Sequence, residues 1–212
     1  MPATKPKTRA GRPLKPLITR EAAVAAAVGL IDRDGLEALS VQAVARTMKV
    51  SAPSLYYHFK DKDELLQLVA LELLRQVGEG TSPHAAWEDR VIALSLATRR
   101  VILRHANAAP LMLRFFPRRL MLSAYERTLT DCPFAPGHHM VVLEAIEKLV
   151  YGASLFAAAA ATNHTSAIPA FDVARYPLLA RAIESGPHGD ENLFEETLRS
   201  LIDGFRARYG TI

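Results

Sequence analysis

The chain has 212 residues, of which 50% are hydrophobic and 23% are charged, and its formal net charge is +4 at pH 7. This composition excludes a disordered polypeptide and is typical of one or two small globular domains. The single cysteine, Cys132, excludes an intrachain disulfide, and the longest apolar run, residues 149–161, is too short to span a bilayer. No apolar signal segment follows the basic N-terminus, so we expect a cytoplasmic protein.

Basic charge is concentrated at the N-terminus. The first 20 residues hold six of the 26 Lys and Arg side chains and no acidic one, so the remainder carries 20 basic against 22 acidic residues. Residues 1–17 are also proline-rich, which predicts a basic flexible arm suited to a polyanion. Because flexible arginines favour narrow A·T-rich minor grooves, and residues 9–13 are similar to an AT-hook core, Arg9 and Arg12 are candidate DNA contacts. A purely solubilising arm is the alternative.

The first predicted helices are short and well capped. Hydrophobic periodicity predicts one helix over residues 20–33, with Thr19 as its N-cap and Gly35 beyond its end. Ser40 can cap a second helix, whose apolar residues recur at helical spacing. They are Val41, Val44, Ala45 and Met48.

A third short helix follows after a tight turn. Ser51 is its candidate N-cap, Pro53 is tolerated in its first turn, and Leu55 and Phe59 form its inner face. Ser54, Tyr57 and His58 lie towards its other side. The helix also carries Tyr56, and Lys60 and Lys62 follow just after it. Ordinary amphipathic helices with exposed aromatics are one interpretation, but aromatics grouped on a short polar face favour contact with a partner. Two helices in this layout indicate a helix-turn-helix, whose second helix enters the DNA major groove.

The segment LYYHFKDKDELL, residues 55–66, resembles the signature of the DNA-binding domain of the tetracycline-repressor (TetR) family of bacterial transcription regulators. The similarity covers residues 18–70, and two later segments, RYPLLARAIESG and FEETLRSLIDGF, resemble the tetracycline-repressor type of C-terminal domain. The resemblance implies an all-α fold, with an N-terminal three-helix helix-turn-helix domain and a C-terminal helical ligand-binding and dimerisation domain. It divides the chain into the arm 1–17, a DNA-binding domain 18–66 and a second domain 67–212, linked by a helix over 62–77.

By this resemblance, Gln42, Ser54 and Tyr56 contact bases or adjacent backbone, while Tyr57, His58 and Lys62 hold phosphates. The full predicted set of DNA contacts is Arg9, Arg12, Ser40, Gln42, Ser51, Pro53, Ser54, Tyr56, Tyr57, His58, Lys60 and Lys62. The sequence departs from the family pattern at Lys49, where the turn usually carries glycine. A left-handed conformation costs a non-glycine residue about 1 kcal/mol, which a folded domain tolerates.

The remaining helices follow in order. Asp61 is the predicted cap of the linking helix, with Glu64 completing a capping box. Further helices are predicted over residues 87–107, 111–116, 118–130, 138–161, 177–185 and 191–209.

Two of these helices carry apolar stripes that suit helix packing. The stripe residues are Ala153, Phe156, Ala157 and Ala160 on the first helix, and Phe194, Leu198, Leu201, Ile202 and Phe205 on the second. Periodicity does not distinguish an intramolecular core from a dimer interface. The resemblance favours the interface, because these regulators dimerise by packing their last two long helices into a four-helix bundle.

A ligand pocket is predicted in the C-terminal half. Aromatic and apolar residues with a few polar groups suit small-molecule sites, although each alone is more often core. The candidates are Trp87, His105, Met112, Phe115, Phe116, Met121, Tyr125, Glu147 and Tyr151. The resemblance aligns Phe156 with a glutamate through which tetracycline repressors hold a magnesium–drug complex, which favours an apolar or aromatic effector instead.

We predict no metal, cofactor or catalytic residue. The sequence has no HExxH, CxxC or phosphate-binding glycine motif, and the adjacent His138 and His139 point to different sides of a helix. We therefore predict a homodimeric repressor that binds a palindromic operator and is released by a small apolar or aromatic effector. A non-specific basic DNA-binding protein without an effector is the alternative, and a helical enzyme is the remote one.

Overall fold

The computed structural model describes residues 18–78, 85–115, 117–166 and 168–210. Over these ranges the chain is helical and contains no β-strand, which confirms the all-α prediction. The helices are α1 Arg20–Asp34, α2 Val41–Met48, α3 Ala52–Leu55, α4 Lys62–Arg75, α5 Trp87–Arg104, α6 Leu111–Arg114, α7 Pro117–Leu120, α8 Leu122–Leu129, α9 His139–Thr162, α10 Pro177–Ser185 and α11 Asp190–Tyr209. The predicted arm and Phe116 lie outside the described residues. Within the described part of the chain, no helix is long and apolar enough to cross a membrane.

Side-chain caps define the starts of the first two helices, as predicted. The Thr19 hydroxyl accepts a hydrogen bond from the backbone N–H of Ala22 at 3.1 Å, and the Ser40 hydroxyl accepts one from Ala43 at 3.1 Å. Each bond satisfies a backbone donor that the helix itself leaves unpaired.

Lys49 ends α2 in the left-handed conformation, with φ 57° and ψ 40°. Its N–H donates to the carbonyl of Arg46 at 3.1 Å, and the N–H of Val50 donates to Ala45 at 3.0 Å. These bonds pair the last carbonyls of α2 and reverse the chain within a few residues. The predicted left-handed turn is therefore confirmed without a glycine.

The caps of the next two helices differ in detail from the prediction. Ser51 has the extended backbone of an N-cap, but its hydroxyl lies 2.6 Å from that of Ser54 and makes no bond to the helix backbone. Asp61 accepts from the N–H of Glu64 at 2.9 Å, as predicted. Glu64 reaches back to the N–H of Lys60, at 2.7 Å, one residue before the cap.

Two cores hold the described chain together, and α5 and α9 contribute residues to both. The first joins α1 to α4 and continues into Val101 and Ile102 of α5 and Met112 of α6. The second lies between α5, α9 and α11. Its buried members are Trp87, Val91, Ile92, Cys132, Phe134, Val142, Ile146, Val150, Phe194, Leu198, Ile202 and Phe205.

The second core contains part of the predicted dimer interface. Four of the predicted contact residues on α11 are at most 7% exposed within the single chain. They are Phe194, Leu198, Ile202 and Phe205, and Leu201 packs partly buried against the same core. These side chains pack inside their own protomer. On α9, Ala153, Ala157 and Ala160 are half-buried, while Phe156 is 82% exposed.

One predicted helix is interrupted. The expected helix over residues 118–130 is divided into α7 and α8, because Met121 between them has φ −137° and ψ 51°. The short helix expected over 111–116 ends earlier, at Arg114. The long helices α5, α9 and α11 begin or end within a few residues of their predicted bounds.

Candidate DNA-binding face and ligand cavity

The predicted DNA contacts on the described chain lie on α2, on α3 and just after it. Tyr57 is 91% exposed and Tyr56 is 48% exposed, because Leu55 and Phe59 on the opposite side are buried against α1 and α2. Exposed around them are Gln42, Ser51, Pro53, Lys60 and Lys62, whereas Ser40, Ser54 and His58 are half-buried. The result is a surface of aromatic, amide and cationic side chains on a short, rigid turn.

Glu64 fixes the position of this surface relative to the rest of the N-terminal half. Its carboxylate forms an ion pair with Arg20 at the start of α1 and accepts from the backbone of Lys60. The segment after α3, which carries Lys60 and Lys62, is thereby tied to both α1 and α4. Sequence reasoning found Glu64 as a cap residue but missed its pairing with Arg20, because the two are distant in the chain.

A cavity of about 380 Å³ lies in the C-terminal half, lined by the end of α4 and by α5, α7, α8 and α9. Its size is in the range of small-molecule sites. Five of the predicted pocket residues line it, namely Trp87, Met121, Tyr125, Glu147 and Tyr151. Residues that sequence reasoning missed complete the α5 wall, namely Val91, Leu94, Ser95 and Thr98. Their spacing from Trp87 follows one helical face and could have indicated them.

Three other predicted pocket residues lie elsewhere. His105 and Met112 face a separate, much smaller space, which shares Leu74, Val77 and Thr98 with the cavity. Phe115 packs partly buried against the first core and is absent from the described lining of the cavity. They lie away from the cavity because the chain turns towards α4 and α1 at the end of α5.

One end of the cavity is polar. The Tyr125 hydroxyl donates to Glu147 Oε1 at 2.7 Å, and Arg118 Nη2 donates to Glu147 Oε2 and, at 2.6 Å, to Glu144. Burial, reinforced by the Glu147 carboxylate, raises the pKa of Tyr125 far above its usual value, and burial raises the pKa of Tyr151 in the same way. Both phenols are therefore neutral donors at physiological pH.

At the start of α5, two lining side chains donate to backbone carbonyls. The Trp87 indole donates to the carbonyl of Thr128 at 2.7 Å, and Arg90 donates to Ala85 at 2.7 Å and to Thr130 at 3.0 Å. These bonds hold α8 and its following turn against the start of α5. The cavity walls are therefore positioned by hydrogen bonds between elements as well as by packing.

A cluster at His105 joins the cavity region to the N-terminal helices. His105 Nδ1 lies 2.8 Å from Asp32 Oδ2 on α1, and Nε2 lies 3.0 Å from Gln76 Oε1 at the end of α4. Asn107 also donates to the backbone carbonyl of Asp32 at 3.0 Å. Three helices thus meet at one buried imidazole, and no local sequence signal marks the partners, because they lie on separate elements.

The donor set for a magnesium–drug complex does not fit this cavity. Phe156 is largely exposed and does not line it, and no group of three His, Cys, Asp or Glu side chains in the described ranges could hold a metal ion. The lining is instead dominated by apolar and aromatic side chains.

The N-terminal helices match a known family of DNA-binding proteins. The model of bacterial regulatory proteins of the TetR family matches residues 23–69. An HTH-type transcriptional regulator of Saccharopolyspora erythraea is 39% identical over 97 residues, which is 46% of this chain and 41% of that protein.

The C-terminal half and the whole fold match as well. The model of the tetracycline-repressor-like C-terminal domain matches residues 79–209. The class D tetracycline repressor of Escherichia coli is 27% identical over 201 residues, covering 90% of each chain. The crystal structure of a possible TetR family regulator from Streptomyces coelicolor superimposes with a TM-score of 0.75 at 26% identity, over 89% of this chain and 99% of that one. The protein therefore belongs to the tetracycline-repressor (TetR) family of transcriptional regulators.

Proposed function

We propose that two copies of this chain bind a palindromic operator and repress transcription in the cytoplasm, and that a small apolar or aromatic effector releases them. The observation that carries the proposal is the position of the cavity. Its wall includes Leu74, Val77 and Gly78 from the end of α4 and the residues just after it. The same helix packs against α1, which supports the DNA-binding turn.

The proposed roles of the DNA-contact residues follow from the exposure of their side chains. Tyr57 and Lys62 project into solvent and suit phosphate contacts, with His58 beside them. Gln42 and Tyr56 are exposed on neighbouring helices and suit base edges or the adjacent backbone. Ser40 and Ser54 already use their hydroxyls in local bonds, so their contribution is first to hold the turn.

The proposed dimer packs the outer faces of α9 and α11 against their symmetry mates. Phe156 is the large apolar side chain on the α9 face. On α11, the face opposite the protomer core carries small residues at helical spacing, namely Thr197, Ser200, Gly204 and Ala207, all exposed. Small residues allow helix axes to approach closely. A two-fold dimer would present its recognition helices about 34–36 Å apart, as a palindrome requires.

For the effector to release DNA, it must bind more tightly to one arrangement of α4 than to the arrangement that binds DNA. A ligand in the cavity touches Val77, and a displacement there moves the end of α4. His105 links that end, through Gln76, to Asp32 on α1. We propose that this cluster carries the displacement to the helix-turn-helix.

Operator mapping upstream of the protein's own and neighbouring genes tests the DNA-binding part of the proposal. We expect one palindromic site bound at least about 10³-fold more tightly than random DNA at equal salt, measured by fluorescence anisotropy. Equal affinity for both would favour the non-specific alternative.

A cavity-filling variant tests the effector part. Leu94→Trp narrows the cavity from α5, so we expect operator binding to persist while release by any effector found in a small-molecule screen is lost. Leu122→Trp, on the exposed side of α8, is the matched control and should respond like the parent. An effector that still releases Leu94→Trp at the parent concentration would place its site elsewhere.

A further inference from the structure

One of the charged side chains in the wall of the cavity is buried. The charged residues in the described lining are Arg90, Arg127, Asp131 and Glu147. Arg127 and Asp131 are exposed, and Arg90 is committed to two backbone carbonyls. The Glu147 side chain is only 10% exposed. The cavity therefore presents a ligand with a largely buried carboxylate, which already pairs with Arg118.

The carboxylate of Glu147 retains unused bonding capacity. An ionised carboxylate can accept about four hydrogen bonds. Tyr125 occupies one direction on Oε1 and Arg118 one on Oε2. A buried carboxylate gains from each further donor, because water reaches it poorly and charge-assisted bonds are strong.

Three aromatic rings line the same cavity as this acceptor. Trp87, Tyr125 and Tyr151 all line the cavity with Glu147. Their faces suit a flat aromatic ligand, and they also attract cations. An anionic ligand beside Glu147 would face a second negative charge, and this carboxylate has no proton to donate to it.

We propose, building on the effector function above, that the effector is an aromatic molecule bearing a hydroxyl or a protonated amine, and that Glu147 accepts a hydrogen bond from that group. Glu147 then determines specificity: it admits donor-bearing aromatics and rejects aromatic anions. The ring system supplies burial against the apolar wall, and the donor supplies orientation.

Calorimetric titration of the full chain with four probes that share one ring system tests this assignment. Naphthalene has no donor, naphthol has a hydroxyl, naphthylmethylamine has a protonated amine, and naphthoate is an anion. We expect naphthol and the amine to bind at least about ten-fold more tightly than naphthalene, and naphthoate to bind more weakly than naphthalene.

Two carboxylate variants separate recognition from structure. In Glu147→Gln, the affinities of the donor-bearing probes should fall to within about two-fold of the affinity of naphthalene, and naphthalene itself should still bind. Glu144→Gln is the matched control, since Glu144 lies one turn earlier on α9, also pairs with Arg118 and does not line the cavity. It should keep the parent's preference.

If Glu147→Gln does not fold, Tyr125→Phe decides the question. It keeps the ring and frees Oε1 of Glu147, so the preference for donor-bearing probes should increase. An unchanged preference in Tyr125→Phe, equal binding of all four probes to the parent, or a preference that survives in Glu147→Gln overturns the role of Glu147 but leaves the effector cavity standing. Failure of all four probes to bind overturns both.

Discussion

Lys49 holds a backbone conformation that side chains with a Cβ avoid. Its φ of 57° lies in the left-handed region, and the side chain is exposed, so no packing compensates for the cost. We expect Lys49→Gly to raise the free energy of unfolding by about 1 kcal/mol, because glycine adopts this conformation freely. Urea denaturation measures the change.

A helix-interior substitution provides the control for this prediction. Arg46→Gly places the same residue type on exposed helical backbone three positions earlier, where glycine should lower the free energy of unfolding by about 1 kcal/mol. Changes of the same sign in both variants would contradict the role assigned to Lys49.

Tyr57 and His58 are predicted to act on DNA and not on folding. Tyr57 is 91% exposed, so Tyr57→Ala should leave thermal stability unchanged. Each alanine variant loses a bond to a charged phosphate, so its affinity for the operator should fall about ten-fold. Its affinity for random DNA should fall by a similar factor. Leu122→Ala, at an exposed apolar position on α8, is the control. Parent-like anisotropy curves for both variants would remove them from the DNA contact surface.

At the scale of elements, local patterns predicted helices well and predicted their partners poorly. The caps at Thr19, Ser40 and Asp61 lie within three residues of the groups they bind, so sequence alone revealed them. The stripe from Phe194 to Phe205 was also recognised as apolar. Periodicity identifies the buried face of a helix but not the element that covers it. Here the apolar face of α11 is covered by α5 and α9 of the same protomer.

Long-range contacts explain why some predicted pocket residues lie away from the cavity. Trp87, Tyr125 and Glu147 were predicted from residue type and do line it. His105 was predicted on the same grounds, but it turns to Asp32 and Gln76, which are 73 and 29 residues away in the chain. Such pairings depend on how helices cross, which composition and spacing do not specify.

The exposed face of α9 offers a test of the proposed dimer. Phe156 is 82% exposed, so Phe156→Asp should leave the protomer folded. Desolvating an aspartate at a helix crossing is costly, so we expect monomers in sedimentation equilibrium. Tyr57→Asp changes an exposed aromatic at the other end of the molecule and should remain dimeric. A dimeric Phe156→Asp would show that this face of α9 is not the interface.

For the whole molecule, the distribution of charge predicts a strong response to salt. The basic side chains within residues 1–16 are Lys5, Lys7, Arg9, Arg12 and Lys15. Deleting residues 1–16 should weaken operator binding and flatten the plot of log K against log salt by about 0.9 for each lost phosphate contact. Arg12→Ala alone should matter most when A·T pairs flank the half-site. An unchanged slope after the deletion would leave the arm a solubilising tail.

The indole of Trp87 gives the molecule a reporter of its own. It is the chain's single tryptophan, and it lies in the cavity wall, edge-on to Phe134 at 5.8 Å between ring centroids. Light absorbed at the red edge of the indole band is therefore emitted from one known place in each protomer. The wavelength of the indole emission reports the polarity of the cavity, and the anisotropy of the emission reports how fast the molecule rotates. Ligand binding in the cavity and assembly of protomers can therefore both be followed in the unlabelled protein.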